Sequence, residues 1–312
     1  MSDGSPAIRR LTRRAGGRVR TGLLLVTFVC ACLDVLLPLR AAASPLRLRL
    51  VPARVGQGGV TVLRIQSPTA LRMLRVRVGD REIRSPAPYG RARVALLIGI
   101  DLEQPPGLII VRAEAEDRSG RFLAGQRAVR VLDAHFPLQR LTVPPSFVEL
   151  DAATLERVSH EKAVLDHLWD VVTPEPLWHG PFRLPLGEAA PALGFGVRRI
   201  INGEPRAPHT GVDFPAAAGT PVLAANAGVV ALVADHFFAG TSIILDHGLG
   251  LYTMYFHLQE SLVQPGQRVE AGQVIARAGS TGRATGPHLH WGARLYGARI
   301  DPRALLQSFP LE

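Results

Sequence analysis

Residues 251–258 read LYTMYFHL and residues 288–297 read HLHWGARLYG. Both are short, largely apolar runs, and neither repeats at the 3.6-residue spacing of a helix, so both predict strands. The text around them is of the same kind. GTPVLAA (219–225), GVVALVAD (228–235), TSIILDHG (241–248) and QRVEAGQVIARAG (267–279) are rich in β-branched residues and separated by glycine turns. Residues 181–306 therefore predict an all-β domain.

The polar residues of this domain carry the chemistry. His288 and His290 stand two apart, and in a strand that spacing puts both imidazoles on one face, about 6–7 Å apart. Thr253, Tyr255 and His257 alternate in the same way, so His257 is expected on the face of Thr253 and Tyr255. In PHTGVDF (208–214), His209 and Asp213 are four apart, and Pro208 and Gly211 place them on a loop entering a strand. If these strands are neighbours, four imidazoles and one carboxylate converge. Two imidazoles and a carboxylate suit one zinc ion with an open fourth position, the pattern of a catalytic site, and leave two imidazoles over. No glutamate stands beside them to serve as a base, which leaves the spare imidazoles for proton transfer. The pattern points to a metal-dependent hydrolase.

The ordered strings His209-x-Gly211-x-Asp213, Gly219-Thr220-Pro221-Val222, Thr253-x-Tyr255-x-His257-Leu258 and Gly282-x-x-Thr285-Gly286-Pro287-His288-Leu289-His290-Trp291 resemble the M23 metallopeptidases of lysostaphin/LytM type. The resemblance covers about 120 residues, all in the C-terminal domain; Trp291 stands where such proteins often have Phe. It implies one zinc ion per chain held by His209, Asp213 and His290, with His257 and His288 as catalytic imidazoles. It also implies an endopeptidase acting on the peptide cross-bridges of peptidoglycan, with D-Ala–diaminopimelate links expected over glycine bridges. The alternative within the family is a catalytically silent or autoinhibited regulator of other cell-wall hydrolases, partnered with another envelope protein.

Outward from this domain, residues 134–180 predict a connector with one helix. Asp151 is placed to cap it, and Leu155, Val158, Leu165, Leu168 and Val172 follow helical spacing up to Thr173-Pro-Glu-Pro. His160-Glu161 begins like HExxH, but residue 164 is Val, so a second histidine one turn on is missing and the zincin motif is rejected. His160 and His167 are expected on the helix surface, and His236 and His247 as structural residues. His179 precedes the domain with no assigned role; Arg198, Arg199 and Asn202 either line a substrate groove or pack a loop. Residues 44–133 alternate at period two, as in LRLRL (46–50) and LRVRV (74–78), and predict an accessory β-sandwich of immunoglobulin-like size. Arg47, Arg49, Arg75 and Arg77 are expected to share its solvated outward face.

Residues 1–43 follow the order of a secretory signal: arginines to Arg20, an apolar run from Gly22 to Leu39, then Ala41-Ala42-Ala43. Asp34 and Pro38 interrupt a span that is already short for a membrane helix. Export to the periplasm or cell envelope is expected, with membrane attachment only through an uncleaved signal or a lipid anchor. The two cysteines, Cys30 and Cys32, fall in this segment, so the processed chain has no disulfide, thiolate ligand or cysteine nucleophile. With 47% hydrophobic and 20% charged residues the whole sequence reads as a folded chain, not a disordered one. Of the +10 net charge, seven arginines against two aspartates in residues 1–43 supply half. No nucleic-acid motif accompanies the rest, and no nucleic-acid partner is expected. ValGluAlaGlyGlnValIle (269–275) resembles a biotinyl- or lipoyl-carrier half-motif, but the sole lysine, Lys162, lies in the connector helix, so the carrier fails.

Overall fold

Both regions of alternating sequence fold as β-sheet. The computed structural model describes residues 44–83, 90–143, 149–187, 194–307 and 309; the expected leader at 1–43 lies outside the described residues. Among the described residues no helix is long and apolar enough to cross a membrane.

The N-terminal region holds two sheets. Arg47–Val51, Val60–Gln66 and Arg93–Gly99 form the smaller; Ser44–Pro45, Phe122–Leu132, Gly107–Asp117, Leu71–Val78 and Arg81–Ile83 form the larger, with Arg54–Gly56 joined to Phe122–Leu132. Alternation does the sorting: Leu74, Val76 and Val78 are buried while Arg75 and Arg77 between them are exposed. Leu50, Leu63 and Ile65 of one sheet and Val76, Ala113 and Val129 of the other join one buried cluster. The four arginines expected on one face are divided, because Arg47 and Arg49 lie on the smaller sheet and Arg75 and Arg77 on the larger. Period two tells a side chain's sense, in or out, but not which sheet its strand joins. Arg75 and Arg77 both approach Glu82, at 3.4 and 3.7 Å, as an ordinary solvated face does.

The connector forms its helix at Ala152–Asp170, and Asp151 caps it by accepting from the Thr154 amide at 2.7 Å. The helix buries none of its residues fully; Leu165, Leu168 and Trp169 pack on Ile244, Tyr252 and Met254. Leu155, at the start of the expected apolar stripe, is 55% exposed, so the apolar contacts with that cluster come from the last turns. Glu161, the residue of the rejected motif, accepts from the Phe237 amide and from Arg157, fixing the helix to the turn after Asp235. His160 and His167 are exposed. Before the helix, Leu138–Leu141 pairs in parallel with Arg198–Ile201, which continues into an antiparallel hairpin with Glu204–Arg206.

The C-terminal sheet runs, in spatial order, Gly211–Pro215, His288–Leu295, Leu251–Ser261, Gly240–Asp246, Gly228–His236 and Arg268–Val269. His288–Leu295 is flanked on both sides, antiparallel to Gly211–Pro215 and to Leu251–Ser261. Val212, Trp291 and Tyr255 stand in cross-strand register, and all three are fully buried. One residue along, Asp213, His290 and Phe256 stand in register on the opposite face. A strand's two faces thus divide the work between core and site. The far end of the strand meets the N-terminal region: Arg299 bonds Asp101 at 2.6 Å and Glu103 at 2.6 Å, and the Asp301 amide donates to the Gly58 carbonyl.

Candidate metal centre

His209, Asp213 and His290 are brought together by this register. His209 Nε2 lies 2.9 Å from His290 Nδ1 and 3.1 Å from Asp213 Oδ1, and His290 Nδ1 lies 2.9 Å from Asp213 Oδ1. Donors held tetrahedrally around zinc at about 2.0–2.2 Å stand roughly 3.3–3.5 Å apart, so the observed triangle needs only a small expansion to hold one ion. Two imidazoles and a carboxylate are also the donor types zinc takes, and this group of three is buried or half-buried.

Each donor is aimed by what lies behind it. His209 Nδ1 is 2.7 Å from the Gly194 carbonyl; an N–H there fixes the tautomer and leaves the Nε2 lone pair to the centre. Phe256 stacks flat on His290, with ring centroids 5.4 Å apart and planes 4° apart, which sets the imidazole's orientation. Gly211 is required by the same crowding, since a Cβ there would stand 2.5 Å from His290 Nε2 and 2.5 Å from the Trp291 carbonyl. Burial opposes charge on Asp213, but the His209 and His290 imidazoles beside it hold its carboxyl far below the ordinary range.

His257 and His288 flank the triangle without belonging to it. His288 Nε2 is 3.9 Å from Asp213 Oδ1, and the His257 and His288 rings are 4.6 Å apart. Both rings are anchored through Nδ1, His257 to the Thr281 carbonyl at 2.9 Å and His288 to the Gly286 carbonyl at 2.8 Å. With Nδ1 donating, each keeps a lone pair on Nε2. Burial pushes the His257 imidazole down to about 4, so it is neutral near pH 7.

The structure corrects the expected placement of His257. Thr253 and Tyr255 point into the core, where the Thr253 hydroxyl meets His247 Nε2 at 2.7 Å and the Tyr255 hydroxyl accepts from the Ala225 amide. The pairing of Leu251–Ser261 with Gly240–Asp246 slips between Thr241 and Ile243, and His257 takes φ 61°. That bulge breaks the alternation and brings Phe256 and His257 to the same side. A left-handed backbone is unfavourable for a non-glycine residue, and it is tolerated here beside the cluster. Sequence reasoning missed Phe256, which sits in an apolar run and looks like core, and the Gly194, Thr281 and Gly286 carbonyls, which have no side-chain signature.

The remaining candidates fall elsewhere. His247 is fully buried, bonded to the Ala227 carbonyl and Thr253, and His236 is buried against Ser242. His179 is exposed, with its amide bonded to Asn226. Asn202 makes the hairpin turn with Gly203 and bonds both backbone groups of Val143, so it packs a loop.

Residues 207–302 match the family model of Peptidase family M23. The peptidoglycan DD-endopeptidase ShyA of Vibrio cholerae serotype O1 is 47% identical over 105 residues, 34% of this chain and 24% of that protein. ShyC, a peptidoglycan DD-endopeptidase of the same organism, is 39% identical over 125 residues, 39% of this chain and 29% of that protein. The chain thus matches only 24–29% of the length of these relatives. A Pseudomonas aeruginosa crystal structure described as a peptidase M23 aligns over 81% of this chain and 95% of its own, with 30% identity and a TM-score of 0.56.

Proposed function

The chain belongs to peptidase family M23, and from that premise we propose that it is an exported zinc endopeptidase hydrolysing the peptide cross-links of bacterial peptidoglycan. The observation that carries the reading is the convergence of His209 Nε2, Asp213 Oδ1 and His290 Nδ1 within 3.1 Å, with two further imidazoles anchored beside them. Peptidoglycan as substrate is supported by the names of the relatives, and export by the order of residues 1–43.

His209, Asp213 and His290 would hold the ion, which would supply Lewis acidity to polarise a carbonyl and make water acidic enough to react near neutrality. The two spare imidazoles supply the proton chemistry. With Nδ1–H committed to a backbone carbonyl, Nε2 of either ring can take a proton from the attacking water. The imidazolium so formed carries Nε2–H, which can donate to the developing oxyanion or pass the proton to the departing amine. The Phe256 ring, parallel to the imidazole, holds His290 in its orientation. A catalytically silent role draws no support from a sequence that keeps His209, Asp213, His257, His288 and His290.

The test is mass spectrometry of muropeptides after the zinc-loaded chain is incubated with purified sacculi, beside a His290→Ala control. Loss of cross-linked dimers with matching gain of monomers, absent in the control, supports the reading. Cleavage that persists in the control would remove it.

A further inference from the structure

Glu161 belongs to the connector helix, yet its carboxylate ends on the C-terminal domain. Its two oxygens accept from the Phe237 amide at 3.0 and 3.1 Å, and one of them also accepts from Arg157 Nε at 2.7 Å. Arg157, one helical turn earlier, bonds the Asp235 carbonyl at 2.9 Å and its carboxylate at 3.2 Å. This i, i+4 pair therefore grips one short segment at two points, Asp235 and Phe237. Phe237 opens the three-residue turn that joins Gly228–His236 to Gly240–Asp246, and His236 pairs with Gly240 across it. The Phe237 amide lies beyond the last paired residues, and a carboxylate on the helix supplies its acceptor.

The other end of the same turn holds His257. The Ala239 carbonyl accepts from the His257 amide at 2.8 Å, and the Phe238 carbonyl accepts from the Arg283 amide at 2.9 Å. Thr281, whose carbonyl meets His257 Nδ1 at 2.9 Å, donates its hydroxyl to the Leu258 carbonyl at 2.6 Å and accepts from the Thr241 amide at 2.9 Å. There is no slack between the two loops. A Cβ on Gly240 would stand 2.3 Å from Thr281 Oγ1, and one on Gly282 would stand 2.3 Å from the Gly240 nitrogen and 2.7 Å from the Phe238 carbonyl. Packing this close passes a displacement on instead of absorbing it. His257 is thus held through its amide by one loop and through its ring by the other. Its φ of 61° is a conformation that a non-glycine residue keeps only where its surroundings over-determine it.

We propose that Glu161 is a positioning residue for His257: by fixing the turn at 237–239, the connector helix holds that imidazole beside the three donors. The proposal rests on the reading of His257 as a proton-transfer group of the endopeptidase. It makes the helix part of the working site, coupled to it by one carboxylate, one turn and two backbone carbonyls.

The experiment uses the zinc-loaded full chain with Glu161→Ala, Glu161→Gln and, as a control, Lys162→Ala, whose side chain pairs with Asp166 on the exposed side of the helix. Amide hydrogen exchange, read residue by residue by NMR, should be roughly ten-fold faster at His257 in Glu161→Ala, the scale of one lost hydrogen bond to a charged group. Val212 and Trp291 in the core should exchange as in the parent chain, which separates a loosened turn from a loss of stability. On a soluble cross-linked muropeptide dimer, kcat should fall about ten-fold at unchanged KM, with zinc retained, because the imidazole is present but misplaced. Glu161→Gln keeps an oxygen for the Phe237 amide and should restore most of both; Lys162→Ala should change neither. Unchanged His257 exchange in Glu161→Ala overturns the proposal, and so does an unchanged kcat. The exchange arm needs no substrate. A parent chain that cleaves no dimers while Glu161→Ala speeds His257 exchange keeps the coupling and loses the endopeptidase reading. One that cleaves dimers while His257 exchange is unmoved keeps the enzyme and loses the coupling.

Discussion

The Gly194 carbonyl and His209 Nδ1 are 2.7 Å apart, so a backbone group decides which nitrogen of His209 faces the centre. Gly194 has φ 103°, and a Cβ on it would stand 2.8 Å from His209 Nδ1. Gly194→Ala should therefore displace the imidazole and weaken zinc binding by roughly 10–100-fold, the usual effect of losing a ligand's outer partner. Competition with a chromogenic chelator measures this; an unchanged zinc affinity would show that the carbonyl does not orient His209.

The two kinds of histidine should separate in their effects. His290→Ala removes a donor and should abolish both zinc retention and hydrolysis. His257→Ala and His288→Ala leave the triangle of donors intact, so zinc should stay bound while kcat/KM falls about 10²–10⁴-fold. Zinc content by elemental analysis alongside kinetics separates the classes. Zinc loss in His257→Ala equal to that in His290→Ala would make His257 a ligand.

His247 offers a prediction about stability. Burial holds its pKa down to about 4, below its ordinary 6.5. The unfolded chain binds this proton first, so the stability contributed by neutral His247 is complete above about pH 6.5 and is lost as pH falls toward about 4. The slope approaches about 1.4 kcal/mol per pH unit within that window. Unfolding titrations across it should show a shallower dependence for His247→Gln than for the parent chain. An NMR titration placing His247 near 6.5 in the folded protein would contradict the premise.

Much of the site was legible because strands obey a simple rule. His288 and His290 are two apart in a strand, and the structure keeps both on the side of Asp213. His257 broke the rule, since a bulge is set by pairing with a neighbouring strand and leaves little trace in one sequence. Phe256 was hidden by its own chemistry: an aromatic residue between Tyr255 and His257 reads as core until its partner ring is known. The helix was legible from Asp151 to within two residues of its end, but docking by Leu168 and Trp169 rather than Leu155 depends on which strand residues, Ile244, Tyr252 and Met254, it meets. The division of the four arginines between two sheets followed from strand order, which alternation does not encode.

The most direct measurement is a titration of metal-free chain with zinc while loss of cross-linked muropeptide dimers is followed. Cleavage should be absent without metal, rise in proportion to zinc and level off at one ion per chain; His290→Ala should stay inactive throughout. Cleavage by the metal-free chain, or a plateau reached only at two ions per chain, would contradict a single centre built from His209, Asp213 and His290.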